Sequence, residues 1–347
     1  MTLTQAISFR RADASDLSAI VGVCGQALQW ADGDANAEFF QWKHVANPFG
    51  PSPIWVAQVG APVGGTVGSG VDGALGPSGL HIVGVRAMMR WQLQRPGHEP
   101  ALMTRAVDTA TLPAYQGQGI FSRLTTAAIT ELASEGASSV FNTPNDQSRP
   151  GYLKLGWELL GRVPVTVRPR SLGALAAMVR SKTPADKWGQ PCHVGLAPAE
   201  ALAQTDQIER ALSDAVVPTA WTTPLSLDYL RWRTGFEPLG CRIQPLGRSL
   251  AEGFIVFRVR QRGVLRQLSL LHVVSPSKGQ SVRRAISSLL GATGADVALA
   301  SGGSLGLRAG MVMVPRIGPL MTWKTLASPW KPTLSELDLP LGAIEMF

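Results

Sequence analysis

The residues best placed to do chemistry lie between 107 and 136. Val107-Asp108-Thr109-Ala110-Thr111 reads as a β-branched strand, Gln116-Gly117-Gln118-Gly119 as a tight turn, and the stretch after it as a helix. The helix rests on Ile120, Leu124, Ala127, Ala128 and Leu132 recurring on one face. Such a junction points several unpaired backbone N–H groups, at the positive end of a helix dipole, into one small volume. Glycine lets the backbone approach a ligand closely. The junction therefore suits an anion, and a pyrophosphate fits it well.

Gln116-Gly117-Gln118-Gly119-Ile120 resembles the (Arg/Gln)-x-x-Gly-x-(Gly/Ala) signature of the GNAT superfamily of acyl-CoA-dependent N-acyltransferases. The family's last small residue is Phe121 here, a departure that leaves the amides able to bind phosphate. Asn145-Asp146-Gln147-Ser148-Arg149-Pro150-Gly151-Tyr152-Leu153-Lys154-Leu155-Gly156-Trp157 is similar to a second block of the family, Asn-x-x-(Ala/Ser)-x-x-x-Tyr-x-x-x-Gly-(Phe/Trp). Each motif alone is weak; together, in this order and spacing, they are specific. The resemblance implies an α/β (α+β) fold, with a mixed, mostly antiparallel sheet flanked by helices. It also implies acetyl-CoA or another acyl-CoA as co-substrate, no metal, and an amine acceptor. Gln116, Gly117, Gln118, Gly119, Ile120 and Phe121 would surround the pyrophosphate. Thr109, Ala110 and Thr111 would pair with the pantetheine arm where two strands splay, joined by Asn145; Ser148 would either join them or simply be the small residue the turn requires.

Amide formation from a thioester needs a neutral amine, a pocket for the developing oxyanion and a proton donor for the thiolate. Tyr152 stands where family members often carry a Tyr near the thioester sulfur, and it is the general-acid candidate. The alternative is that it only packs against the cofactor. Asp108, on the strand before the loop, is the candidate for accepting the amine proton, directly or through water. It could instead cap or brace the strand end. Direct transfer needs no covalent enzyme intermediate, and no Cys-His or Ser-His pairing stands out in the sequence.

Composition narrows the remaining classes. A chain of 347 residues has two domains as its prior. With 45% hydrophobic and only 16% charged residues, it has the makings of globular cores and not of a disordered chain. The net charge, 32 − 24 = +8, suits a polyanionic cofactor. Nucleic acid is disfavoured as a partner, because the basic residues are scattered and lack interleaved aromatics. Cys24, Cys192 and Cys241 are far apart, so neither a zinc site nor a disulfide framework follows. His81 and His98 have no partner at metal or triad spacing. Without a signal-length apolar segment near Met1 or an apolar run of about 18 residues, the expectation is a soluble cytoplasmic protein with no membrane partner.

The elements around the junction follow in order. Ile7 to Arg10 reads as a strand. Asp13 is an N-cap for a helix whose apolar face carries Leu17, Ile20, Val21, Cys24 and Leu28. Phe39, Phe40, Trp42 and Lys43 lie on a second helical piece that Asn47-Pro48-Phe49-Gly50 stops, and most of its aromatics read as core. Further strands are expected at Ile54 to Val59, Val83 to Leu93, Leu102 to Thr111 and Ser139 to Asn142. Val163 to Val167 is expected to complete the first sheet. The Gly-rich stretch from Gly60 to Gly79 reads as a surface loop. Phe121 and Met88 or Met89 are candidates for lining an acyl tunnel.

The C-terminal half echoes the first. Tyr229-Leu230-Arg231-Trp232-Arg233 repeats Phe40-Gln41-Trp42-Lys43, and Gly253 to Arg260 repeats Val83 to Arg90. A helix bearing Val282, Ala285, Ile286, Leu289 and Leu290 follows Ser275-Pro276, as the first follows Leu112-Pro113. Where the phosphate loop would stand is Ser277-Lys278-Gly279-Gln280-Ser281, with no Gly-x-Gly. The expected organisation is therefore two tandem GNAT-like domains. Residues 1–168 would hold the acyl-CoA site, 169–195 would be a linker with a short helix, and 196–347 would be a degenerate copy. That copy is expected to cover the first sheet and wall its acceptor pocket. The leading expectation is acetyl transfer to a small amine or amino sugar; a non-catalytic acyl-CoA-binding or scaffold protein is the alternative. The sequence leaves the oligomeric state, homo-oligomers included, open.

Overall fold

The structure, a computed structural model, describes residues 6–30, 35–60, 76, 79–181, 183–277, 279–302 and 305–345. Most of the Gly-rich stretch between 60 and 79, and Lys278, lie outside them. The chain folds as two compact units. The first comprises Met1–Gln92, Leu102–Leu159 and Thr322–Lys331; the second comprises Leu93–Ala101, Leu160–Met321 and Pro332–Phe347.

The strands are β1 (Ile7–Arg11), β2 (Ile54–Val59), β3 (His81–Leu93), β4 (Ala101–Thr111), β5 (Ser139–Asn142), β6 (Glu158–Arg162), β7 (Val165–Pro169), β8 (Cys241–Pro245), β9 (Phe254–Arg262), β10 (Leu265–Val274), β11 (Val297–Ser301), β12 (Val312–Met313) and β13 (Leu320–Thr325). The helices are α1 (Leu17–Ala27), α2 (Asn36–His44), α3 (Ile120–Ser134), α4 (Arg149–Lys154), α5 (Leu172–Arg180), α6 (Pro198–Leu202), α7 (Thr205–Asp214), α8 (Leu227–Thr234), α9 (Gln280–Thr293) and α10 (Leu341–Ile344). Two mixed sheets flanked by helices result, as the expected fold class requires.

In the first unit the sheet runs β1-β2-β3-β4-β5-β13-β6. Asp13 opens the chain's first helical turn through a capping box, its carboxylate accepting from the Ser15 amide while Asp16 accepts from the Asp13 amide. α1 then buries Ala19, Ile20, Val23 and Cys24. α3 buries Ile120, Leu124, Ala128 and Leu132, the face its sequence period marks. Each such Leu or Ile contributes about 1.5–3 kcal/mol by leaving water. The contact is close: a Cβ on Gly84 of β3 would lie 2.6 Å from the Ile120 side chain, so glycine lets the helix seat on the sheet. β4, α3 and β5 form a parallel crossover, which fixes the start of α3 beside the end of β4.

One strand differs from its expected place. Val163 to Val167 does not complete the first sheet. β7 lies in the second sheet, paired antiparallel with β11 from Ser301↔Val165 to Val297↔Pro169. The partner beside β5 is β13, in register from Thr322↔Asn142 to Thr325↔Ser139. Side-chain matching explains the choice. Trp323 stacks on its cross-strand partner Phe141 at 5.9 Å, and Thr322 hydrogen-bonds the buried Asn142 side chain.

In the second unit the sheet runs β12-β7-β11-β10-β9-β8. β9 and β10 form a hairpin turned at Gly263, and β10, α9 and β11 form a second parallel crossover. α9 buries Val282, Ile286, Leu289 and Leu290 against a core that includes Ile255, Phe257 and Leu268.

Candidate active site

The site grows from where β4 and β5 part. They pair only from Met103↔Ser139 to Arg105↔Phe141, while β4 runs on to Thr111 and β5 ends at Asn142. The β4 edge beyond Arg105 is thus given up by its neighbour, and an extended ligand could add to it. Just past β4, Gly117 (φ 76°) and Gly119 (φ 74°) adopt the left-handed conformation that glycine tolerates best. Gly119 is the N-cap of α3, and no side chain caps that helix. A Cβ at either glycine would meet nothing within 4 Å, so the loop is not packed against at these positions.

The other loop residues have defined tasks. The Gln116 side-chain Nε2 donates to the Thr111 carbonyl at 3.1 Å, and the Gln118 Nε2 to the Ala114 carbonyl at 3.4 Å, bracing the turn. The Ile120 side chain is core, which leaves its backbone amide for a ligand. Ala110 is buried, and Thr109 and Thr111 are half-buried. Asn145 Oδ1 accepts from both the amide and the hydroxyl of Ser148, each at 2.9 Å, where the chain enters α4. The two residues therefore brace each other. Met88 and Met89 are fully buried.

Tyr152 sits on α4, and its hydroxyl oxygen accepts from Arg86 Nη1 at 2.7 Å. Arg86, on β3, is wholly buried; the same nitrogen also donates to Thr109 Oγ1. Its guanidinium lies 5.0 Å from the Tyr152 ring centroid and 5.5 Å from that of Phe121. Phe121 packs edge-on to Tyr152 at 5.3 Å. A cation clamped between two aromatic faces is held firmly, because the ring quadrupoles attract it and the walls exclude water.

Asp108 lies on the same strand as Thr109, with φ 38°, uncommon for a residue with a side chain. Its carboxylate meets Lys43 Nζ at 2.8 Å and His44 Nε2 at 2.6 Å. The other imidazole nitrogen, Nδ1, lies 2.9 Å from the Ser52 hydroxyl. Burial alone would push the Asp108 carboxyl up; the Lys43 charge and the His44 hydrogen bond outweigh it and hold the group below the usual carboxylate range. Burial pushes His44 down despite Asp108, so the imidazole is neutral at pH 7. Asp108 then accepts from Nε2–H, and Nδ1 accepts from Ser52. His44 and Ser52 also line a pocket of about 900 Å³ with Phe40, Trp42, Asp13 and Glu38.

Comparison with known proteins matches residues 8–160 to a family profile described as an acetyltransferase (GNAT) domain. Residues 8–160 are a GNAT acetyltransferase domain. No curated protein sequence matches the chain. Among solved structures, a probable N-acyltransferase from Enterococcus faecalis is 11% identical, with a TM-score of 0.60 over 93% of this chain and 73% of that one. A GCN5-related N-acetyltransferase from Kribbella flavida is 14% identical, with a TM-score of 0.59 over 95% and 73%. One from Anabaena variabilis is 11% identical, with a TM-score of 0.56 over 92% and 73%. At these identities the likeness is one of fold.

The motifs point to the loop glycines and Tyr152, whereas nothing in the sequence points to Arg86, Lys43, His44 and Ser52 as their neighbours or as partners of Asp108. Arg86 stands out only as a lone charge inside the apolar run of Val83 to Met89. Asp108 and His44 are 64 positions apart, and nothing local announces their pairing. Among the described residues, no group of three or more His, Cys, Asp or Glu is placed to hold a metal ion. No helix of the described residues is long and apolar enough to cross a membrane.

Proposed function

We propose that the GNAT domain transfers an acetyl group from acetyl-CoA directly to the primary amine of a small molecule, amino sugars included. The observation that carries this reading is the uncapped start of α3 behind two left-handed glycines, beside a strand edge that β5 has left. Amides at 117–121 hold the pyrophosphate, and the edge at Thr109 to Thr111 pairs with the pantetheine amides. Asn145 joins through its amide nitrogen, since its oxygen is engaged by Ser148.

The residues divide the proton work. The acceptor nitrogen attacks the thioester carbonyl carbon, and the carbon–sulfur bond breaks. Tyr152 gives its hydroxyl proton to the departing sulfur; Arg86 Nη1, already bonded to that oxygen, steadies the charge left there. Asp108 drives acceptance of the amine proton through His44: Nδ1 takes the proton by way of Ser52, and Asp108 stabilises the imidazolium. Within this proposal residues 1–168, with β13 set between β5 and β6 of their sheet and β7 given to the second sheet, carry the chemistry. Residues 169–195 are the linker, and 196–347 are a GNAT-like relative without the phosphate loop.

The test is acetyl-CoA consumption against a panel of small amines, run beside calorimetric titration with acetyl-CoA and desulfo-CoA. The expected result is one-site binding with acetylated product. Binding with no amine acetylated would transfer the assignment to a non-catalytic acyl-CoA-binding protein. No binding would overturn the acyl-CoA site.

A further inference from the structure

The second unit has a cleft of its own. β10 and β11 pair only from Gln267↔Val297 to Ser269↔Leu299, although β10 continues to Val274 and β11 to Ser301. A cavity of about 150 Å³ opens there, bordered by all of Leu270 to Val274. Successive strand residues point to opposite faces, so a cavity touching five in a row lies beside the strand edge and not over one face. An apolar space of that size is what a benzene-sized body fills.

The lining is apolar except for a few groups, and one of them decides the ligand. Asp338 borders the cavity, is 9% exposed, and its carboxylate has no hydrogen bond or ion pair among the described residues. Its backbone is fixed by donation from its amide to the Trp221 carbonyl at 2.9 Å. Its Oδ1 rests against Gly302, where a Cβ would lie 2.2 Å away. His272 also borders the cavity, held edge-to-face by Tyr229 at 5.3 Å. Burial, helped by the Arg233 charge, pushes that imidazole down to about 3, so it brings no charge. Asp338 is then the one charge in the lining. Ser301 is already spent, donating to the Leu339 carbonyl at 2.9 Å. With no hydrogen-bond or ion-pair partner among the described residues, the Asp338 carboxylate is open to an ammonium, which it would hold through a charge-assisted hydrogen bond.

We propose that this cavity binds a small aliphatic primary amine, its ammonium on the Asp338 carboxylate and its hydrocarbon between the parted ends of β10 and β11. The site is separate from acyl transfer and needs no acyl-CoA. The probe is cyclopentylamine, with cyclopentanol as the uncharged control, read by thermal unfolding of the full chain at pH 7. At millimolar concentration the amine should raise Tm by about 2–4 °C, and the alcohol by less than 1 °C, because a ligand of the folded state stabilises by mass action. Asp338→Asn should lose the shift. Val217→Trp, at an exposed lining residue, should lose it by filling the mouth while leaving the carboxylate intact, so misfolding of one variant does not decide the matter. Gly119→Glu should keep it, which separates this site from the proposed transferase site. A shift that survives both lining substitutions, an equal shift with the alcohol, or no shift with the amine would each overturn the proposal.

Discussion

The two parallel crossovers, β4–α3–β5 and β10–α9–β11, are alike in backbone and different in what their junctions present. Both helices start without a side-chain cap, and a Cβ on the glycine before either would meet nothing within 4 Å, but in the first, two left-handed glycines lead into the helix. In the second, Gly279 precedes α9 with φ −102°, and no Gly-x-Gly stands there. Beside the first junction lie an arginine-clamped tyrosine and a carboxylate–imidazole pair; beside the second gap lie a neutral histidine and a lone carboxylate. The pairing of strands is thus indifferent to chemistry, which resides in a few side chains set on it.

Gly119→Glu strikes that difference hardest. It puts bulk and negative charge at the anion site and a side chain at φ 74°, so calorimetry should register no acetyl-CoA binding. Asp108→Asn comes next: taking the carboxylate from buried Lys43 should cost about 3–5 kcal/mol of stability in urea unfolding. A loss under about 1 kcal/mol would show that the cluster is not the buried ion pair described. Tyr152→Phe should leave acetyl-CoA affinity intact and slow turnover about 10- to 1000-fold; unchanged turnover would remove the acid role. His272→Gln addresses the other cleft. His272 is held neutral in the fold and takes up a proton near pH 6.5 once unfolded, so its contribution is full above about pH 6.5 and falls as pH drops toward about 3. The chain should lose roughly 1.4 kcal/mol per pH unit in that window through this group, and the variant's urea-midpoint profile should be flatter by that slope. Lys278→Ala, on the side without a phosphate loop, should change acetyl-CoA affinity least, by less than about twofold if binding is confined to the first junction.

What the sequence disclosed followed the range of the forces involved. α3 was readable because its apolar period and the glycines before it are local, and Asp13 because a cap acts within one turn. Cys24 was readable as core from its helix face. Arg86 could be noticed as an oddity but not given a partner, since Tyr152 lies 66 positions away. The Asp108 cluster was hidden for the same reason: its strength comes from burial that three distant segments create together. β7 shows the limit most plainly. Its residues announce a strand, but which edge it joins depends also on the distant strands β11 and β12 that it pairs with and on β13, which takes the place beside β5.

β13 also sets a clock. Thr322 pairs with Asn142, and 180 residues separate them. At a ribosomal pace of about 5–20 residues per second, β5 waits roughly 10–40 s after emerging before its permanent neighbour exists. Throughout that interval the nascent first unit carries a bare strand edge bearing Val140 and Phe141, the kind of template on which stray chains pair. A partner that covered that edge during synthesis would keep stray chains from pairing there.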